Sequence, residues 1–165
     1  MSGEIRTAVL TISTSKSRDP DGDESGPLLA ELATDAGTTV VFREIVADDR
    51  KSIEAQLVRL ADSERCDLVL TTGGTGFAPS DVTPEATAAT IERPAPGLAE
   101  AMRTASLKHT QHAMLSRGIA GIRGKTLIVN LPGSPNGVRE SFDAIAATLP
   151  HAVALLRGEP TDHAV

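Results

Sequence analysis

The spacing of apolar residues along this chain changes period several times, and each change marks an element. Residues 6–13, RTAVLTIS, form a short β-rich run. The following stretch 14–26, TSKSRDPDGDESG, carries only polar residues, glycine and proline, which predicts a long exposed loop. From Pro27, apolar positions Leu28, Leu29, Leu32, Ala33 and Ala36 keep helical spacing until Gly37 supplies a stop. TTVVFREIV is a second β run and ends at the acid pair Asp48 and Asp49. Ile53, Leu57, Leu60 and Ala61 give the next helix its buried face, and CDLVLTT then reads as a strand covered on both sides. Thr83 and Pro84 read as the N-cap and first turn of another helix. Residues 94–124 read as mostly helical. KTLIVNLP predicts a last strand, which GSPNG joins to a helix with the stripe Val138, Phe142, Ile145 and Leu149.

Alternating strands and helices with short links predict an α/β fold, a three-layer α/β/α arrangement around a mainly parallel sheet. The length of 165 residues fits a single domain over 1–165, with its core at about 5–156. Open parallel sheets bind ligands outside the carboxyl ends of their strands. Four segments fall on that edge: 13–26, 47–49, 73–82 and 132–137.

Composition narrows the classes of partner. No apolar stretch approaches the roughly 20 residues needed to span a bilayer. The start MSGEIRTAVLTIS has its early basic residue at Arg6 and enters a strand at once, the wrong order for a secretory signal, so a soluble cytoplasmic protein is expected. A net charge of −6 with scattered basic residues argues against nucleic acid, as does the absence of Trp and Tyr, whose rings would stack on bases. Cys66 stands alone and can form no internal disulfide.

The segment GGTG, Gly73 to Gly76, follows a strand, and successive glycines permit positive φ, letting backbone amides converge on an anion. A tight turn without ligand is an equal reading. The segment is neither a Walker loop, since Lys-Ser/Thr is missing after it, nor a Rossmann fingerprint, since Pro79 stands where Gly or Ala is needed. Asp81 could hold a metal or cap the helix after it. Of Asp48 and Asp49, one suffices as N-cap, which leaves an acid over. Two carboxylates on neighbouring strand ends suit Mg²⁺, which takes one or two carboxylates plus substrate phosphates. Ser134 reads as an N-cap at a helix start where an anion can also sit; it lies outside any G-x-S-x-G elbow, which argues against a hydrolase triad. His109 and His112, three apart in an expected helix, read as exposed or packed rather than as metal ligands, and DPDGDE lacks the bidentate Glu of an EF-hand.

Together, TTGGTGFAPSDVTPEAT at 71–87 and LIVNLPGSPNGV at 127–138 resemble the MogA/MoaB family of molybdenum-cofactor biosynthesis. DESG at 23–26, VADD at 46–49 and AMLSR at 113–117 follow in the family's order, and the likeness runs from about Ile5 to Leu156. The resemblance implies a molybdopterin-binding fold. It also implies Mg²⁺-dependent adenylylation of molybdopterin by ATP, giving adenylyl-molybdopterin and pyrophosphate, with a molybdate or tungstate insertase as a further partner. By position it makes Asp48 and Asp81 catalytic and Mg²⁺-holding. It brings Thr72, Gly73, Gly74, Thr75 and Gly76, with Ser13, Ser15, Ser25, Gly133 and Ser134, to phosphate or pterin. Ala47 stands where many relatives have proline, so Asp49 competes with Asp48 as the working acid. The alternative is a MoaB-like protein that binds molybdopterin without transferring adenylate. The resemblance further implies a homo-oligomer, a trimer or a pair of trimers.

Overall fold

The computed structural model describes residues 3–162. The single domain expected over 1–165 includes Met1, Ser2 and residues 163–165, which lie outside the described residues.

The strands are Arg6–Ile12 (β1), Thr39–Val46 (β2), Leu68–Thr72 (β3), Arg93–Pro94 (β4), Ala120–Arg123 (β5) and Thr126–Leu131 (β6). They form one sheet in the order β2-β1-β3-β6-β5-β4. The first four in that order run parallel, while β5 and β4 are antiparallel additions at one edge. The helices are Thr14–Arg18 (α1), Ser25–Asp35 (α2), Arg50–Val58 (α3), Thr83–Thr90 (α4), Pro96–Leu107 (α5), Pro135–Ile145 (α6) and Leu149–Arg157 (α7). Among the described residues no helix is long and apolar enough to cross a membrane.

Strand alternation sorts the core into two layers, because successive side chains point to opposite faces. Val9, Leu68, Leu70, Leu127, Val129 and Leu131 pack on one face against Leu29 of α2, Met102 of α5, Phe142 of α6 and Val153 of α7. Ala8, Leu10, Ile12, Val69 and Ile128 pack on the other against Ile53 and Leu57 of α3 and Ala86 of α4. Every residue of β3 and β6 is buried, as strands covered by helices on both faces require.

The expected three-layer architecture is present, with local corrections. The segment 14–26 is not a loop throughout: it contains α1, a 3₁₀ turn at Pro20–Gly22 and the start of α2. Tertiary hydrogen bonds hold it, with Thr11 Oγ1 donating to Asp23 at 2.8 Å and Thr14 bound to Asp48. Composition alone carries no sign of these partners. The region 94–124 is helical only over α5 and a 3₁₀ turn at Gln111–Leu115. Ala120–Arg123 becomes a strand although it contains alanine and glycine, because the hairpin partner β6 supplies its hydrogen bonds and Gly121 leaves room for Ile91. His109 and His112 therefore do not share a helix. Leu149 joins the same core as Phe142 and Ile145 but begins α7, since Pro150 cannot continue α6.

The end of the sheet away from the loops discussed below is fastened by Arg157, whose guanidinium contacts both oxygens of Asp67 at 3.0 and 2.8 Å. Asp67 also accepts from the Arg6 amide at 2.8 Å.

Cys66 lies just before β3, 2 % exposed, and burial pushes its thiol up to about 11. A thiolate is the reactive form, so the folded protein should not react with a thiol reagent such as DTNB at pH 8 on a time scale of minutes. Unfolding in guanidinium should release one reactive thiol per chain; rapid labelling of the native protein would contradict this burial.

Candidate active site

The four parallel strands point their carboxyl ends to one edge, and the predicted loops meet there. Gly73 and Gly74 leave β3 with φ of 102° and 66°, values that side chains adopt only with strain. Space forbids a side chain as firmly as the backbone does: a Cβ at Gly73 would stand 2.3 Å from the Ile12 carbonyl oxygen, and one at Gly74 would stand 2.3 Å from Thr83 Oγ1. The Gly73 amide still donates to Leu131 O, at 3.2 Å. Those of Gly74, Thr75 and Gly76 have no acceptor among the described residues. Unpaired amides on successive residues of such a loop are free to offset the charge of an anion.

Asp48 and Asp81 border the two ends of this loop. Asp48 Oδ1 lies 3.4 Å from where a Gly74 Cβ would be, and Asp81 Oδ2 lies 2.9 Å from the corresponding point at Gly76. Thr14 fixes Asp48, its amide and hydroxyl donating to Oδ2 at 2.9 and 3.0 Å while its hydroxyl accepts from the Asp48 amide at 3.1 Å. Oδ1 has no donor among the described residues. Asp49, in contrast, caps α3: Oδ2 accepts from the Ser52 amide at 2.9 Å and hydroxyl at 2.7 Å, bonds that hold its carboxyl below the usual range. Of the two acids, Asp48 is therefore the one turned to the glycine loop, while Asp49 is spent on the helix end.

Asp81 does not cap α4. Its carboxylate accepts from the Ala78 amide at 3.0 Å and so closes the turn that follows the glycines. Thr83 does not act as N-cap either; it is the first residue of α4, and its hydroxyl donates to Gly73 O at 3.0 Å. The close packing of the glycine loop on α4 diverts this hydroxyl from the helix end.

Several predicted hydroxyls bind the loops to one another. Ser25 Oγ donates to Gly133 O and Thr72 Oγ1 to Pro132 O, each at 2.7 Å, which ties the loop after β6 to α2 and β3. Ser134 caps α6 by accepting from the Gly137 amide at 3.1 Å. Ser13 caps α1 by accepting from the Lys16 amide at 3.2 Å and lies 3.2 Å from Ser15 Oγ. A cavity of about 430 Å³ opens between these segments, lined by Ser13, Lys16, Asp23, Ser25, Gly73 and Gly133 among others. A second cleft, of about 350 Å³, lies across the 132–137 loop and is lined by His109, His112 and Ser134.

Sequence reasoning assigned no role to Lys16, the one basic side chain that lines the 430 Å³ cavity among the described residues. It also passed over Asp23, which accepts from Thr11 Oγ1 and from the Gly26 amide at 3.0 Å. DESG contained the signal for Asp23, whereas Lys16 sits in a stretch of ordinary polarity. Two carboxylates with free oxygens and hard-oxygen neighbours suit Mg²⁺ completed by waters and phosphate oxygens. No cluster of three or more His, Cys, Asp or Glu that could hold a metal occurs among the described residues.

Gly74→Ala should lose inorganic pyrophosphate binding, read by calorimetry, and cost more stability than Gly37→Ala. The latter also has positive φ, 90°, but open space around it, so it should cost only about 1–2 kcal/mol. Equal costs for the two, or unaltered pyrophosphate affinity in Gly74→Ala, would disprove the packing argument.

Known proteins resemble this chain in both sequence and fold. The family model described as "Probable molybdopterin binding domain" matches residues 8–151. The chain is 43 % identical to the molybdopterin adenylyltransferase of Helicobacter pylori strain 26695, covering 93 % of this chain and 89 % of that protein. It is 48 % identical to the molybdenum cofactor synthesis protein cinnamon of Drosophila melanogaster, covering 92 % of this chain but only 26 % of that much longer protein. The crystal structure of the molybdopterin biosynthesis enzyme MoaB from Thermus thermophilus superposes with a TM-score of 0.88 at 46 % identity, over 94 % of this chain and 98 % of that one.

Proposed function

The chain belongs to the molybdopterin-binding domain family, and we propose that it is a molybdopterin adenylyltransferase, joining the adenylyl group of ATP to the terminal phosphate of molybdopterin. The observation that carries this reading is the glycine loop held between Asp48 and Asp81, with three amides unpaired among the described residues just beyond Gly73, which itself lines the 430 Å³ cavity. The adenylyltransferase name of the Helicobacter pylori relative supports it.

Both substrates are polyanions, so the chief difficulty is electrostatic. An oxygen of the molybdopterin phosphate attacks the α-phosphorus of ATP, the bond to the bridging oxygen breaks, and pyrophosphate leaves with that electron pair. No covalent intermediate on the protein is needed, which leaves positioning and charge stabilisation as its tasks. The amides of Gly74 to Gly76 offset charge on phosphate oxygens without reorganising during the reaction. Lys16 adds a positive charge in the adjoining cavity. Asp48 and Asp81 would hold Mg²⁺, whose contribution is neutralisation of charge on the phosphates. Thr14 keeps Asp48 aimed at that place, while Thr72 and Ser25 keep the 132–137 loop against Gly73.

Pyrophosphate release from molybdopterin, ATP and Mg²⁺ tests the assignment. Asp81→Asn and Asp48→Asn should each lower turnover by at least about 10²-fold with the fold intact. Asp49→Asn should leave turnover within about twofold, because Asn caps a helix as well as Asp does. A larger loss in Asp49→Asn than in Asp48→Asn would reverse the roles. If molybdopterin binds without any release of pyrophosphate, the protein is a carrier and not a transferase.

We also propose that the protein works as a homo-oligomer. Supporting this, an open recess of about 680 Å³ lies beside the short edge strand β4 and is lined by apolar residues of α5, β5 and α7, including Leu98, Ile122 and Leu155. Leu155 in this recess is 46 % exposed, and a contiguous exposed apolar patch of this kind marks an interaction surface. Leu155→Glu should reduce the mass measured by light scattering to that of one chain. An unchanged oligomer in this variant, or a monomeric wild type, would remove the recess from the assembly.

A further inference from the structure

Among the described residues the glycine loop beyond Gly73 has no hydrogen bond to the sheet; Thr83 of α4 holds its start, its amide donating to Gly74 O at 3.1 Å, and the carboxylate of Asp81 is fixed only by the Ala78 amide. Residues 77–80 are exposed. A segment of this kind needs an outside support if its acid is to hold one position. That support comes from the far side of the hairpin region. The backbone amide of Arg117 donates to Thr75 O at 2.8 Å. Its side chain then reaches along the loop, Nε donating to Gly76 O at 2.8 Å and Nη2 to Asp81 O at 2.7 Å. Nη1 bonds Glu85 in the first turn of α4. One residue thus fastens the loop before its turn, after it, and to the helix that follows.

We infer that Arg117, braced by Glu85, is the positioning residue that sets the glycine loop and the Asp81 carboxylate in their working register. The inference rests on the transferase reading for its kinetic consequence but not for its structural one. Two alternatives are weaker. Arg117 is not placed as a phosphate clamp, because Nε, Nη1 and Nη2 all have partners in the loop or α4. Nor is the ion pair a main source of global stability: the side chains of Arg117 and Glu85 are 34 % and 42 % exposed, and pairs so exposed contribute little. The mutual ionic bond does keep the Glu85 carboxyl low and the Arg117 guanidinium high, so both stay charged across the physiological range. Lysine would preserve the charge but not the fork, since one ammonium cannot reach two main-chain carbonyls and a carboxylate with planar geometry.

The test compares wild type, Arg117→Lys and Glu85→Gln by amide hydrogen exchange, melting temperature and steady-state pyrophosphate release. The amides of Ala78, Asp81 and Thr83 are hydrogen-bonded within the supported segment and report on it. In Arg117→Lys the 77–83 segment should exchange roughly tenfold faster. Its kcat should fall about 10²-fold, the effect expected when a reacting group is displaced by about 1 Å. The KM for ATP should stay within about threefold and the melting temperature near that of wild type. Glu85→Gln, which keeps an acceptor and loses the charge, should fall between the two in both exchange and kcat. It also serves as the test if Arg117→Lys does not fold.

Wild-type exchange and turnover in both variants would overturn the inference. So would a raised KM at unchanged kcat, which would make Arg117 a substrate contact, and so would faster exchange throughout the chain with a lowered melting temperature, which would make it a stability residue only. A wild-type protein that releases no pyrophosphate would sink the transferase reading alone, and the exchange comparison would still decide the clamp.

Discussion

No side chain can stand between the end of β1 and the turn that leaves β3. The Ile12 carbonyl occupies the place where a Gly73 Cβ would be, and Gly133 approaches from the other side, its own missing Cβ lying 3.3 Å from Gly73 Cα. Three strand ends are therefore drawn to backbone contact, at a distance only glycine allows. The site depends on that closeness. Asp48 comes from the end of β2, Asp81 from beyond β3, and the loop after β6 closes the wall, so any spacer at Gly73 would separate groups that the proposed reaction needs at one phosphate.

Around this contact the protein divides its polar side chains between two tasks. Thr72, Ser25 and Thr83 donate their hydroxyl protons to main-chain carbonyls and hold the loops in place. Asp49 and Ser134 satisfy helix ends that would otherwise leave amides unpaired. Among the described residues, groups left with free capacity include one oxygen of Asp48, one of Asp81, the Gly74 to Gly76 amides and the Lys16 ammonium, chemistry suited to phosphate and a hard cation. Rigid supports behind a small number of unsatisfied groups are what electrostatic preorganisation requires. The buried Asn130 belongs to the supports as well. Its amide donates to Thr71 and Thr87, its carbonyl accepts from Ile119, and β3, β6 and α4 are fixed together below the loop.

Much of the architecture was legible in the chain. The continuous apolar runs of β3 and β6 announced a sheet covered on both faces, and the helical spacing in α2, α3 and α6 announced the covers. Legibility failed where partners are remote. The segment 14–26 looked like loop because its order comes from Thr11, Asp48 and the α2 end rather than from its own composition. The strand Ala120–Arg123 was hidden because its register is imposed by β6 across a tight turn. The four loops expected at the carboxyl edge do gather there, but the hydroxyls assigned to ligands include several that fasten loops.

The sequence by itself determined the alternating architecture, the glycine turn and the family resemblance, since these rest on local periodicity, backbone freedom and motif order, all written in neighbouring residues. Only the tertiary structure turned Asp48 to the glycine loop and Asp49 to the α3 end, made Thr83 a loop anchor in place of a helix cap, and brought Arg117 to the glycine loop. Each of those outcomes depends on which donor the packed layers bring to a given oxygen. Hydrogen bonding of that kind is set by the packing of the layers and leaves no periodic trace in the order of residues.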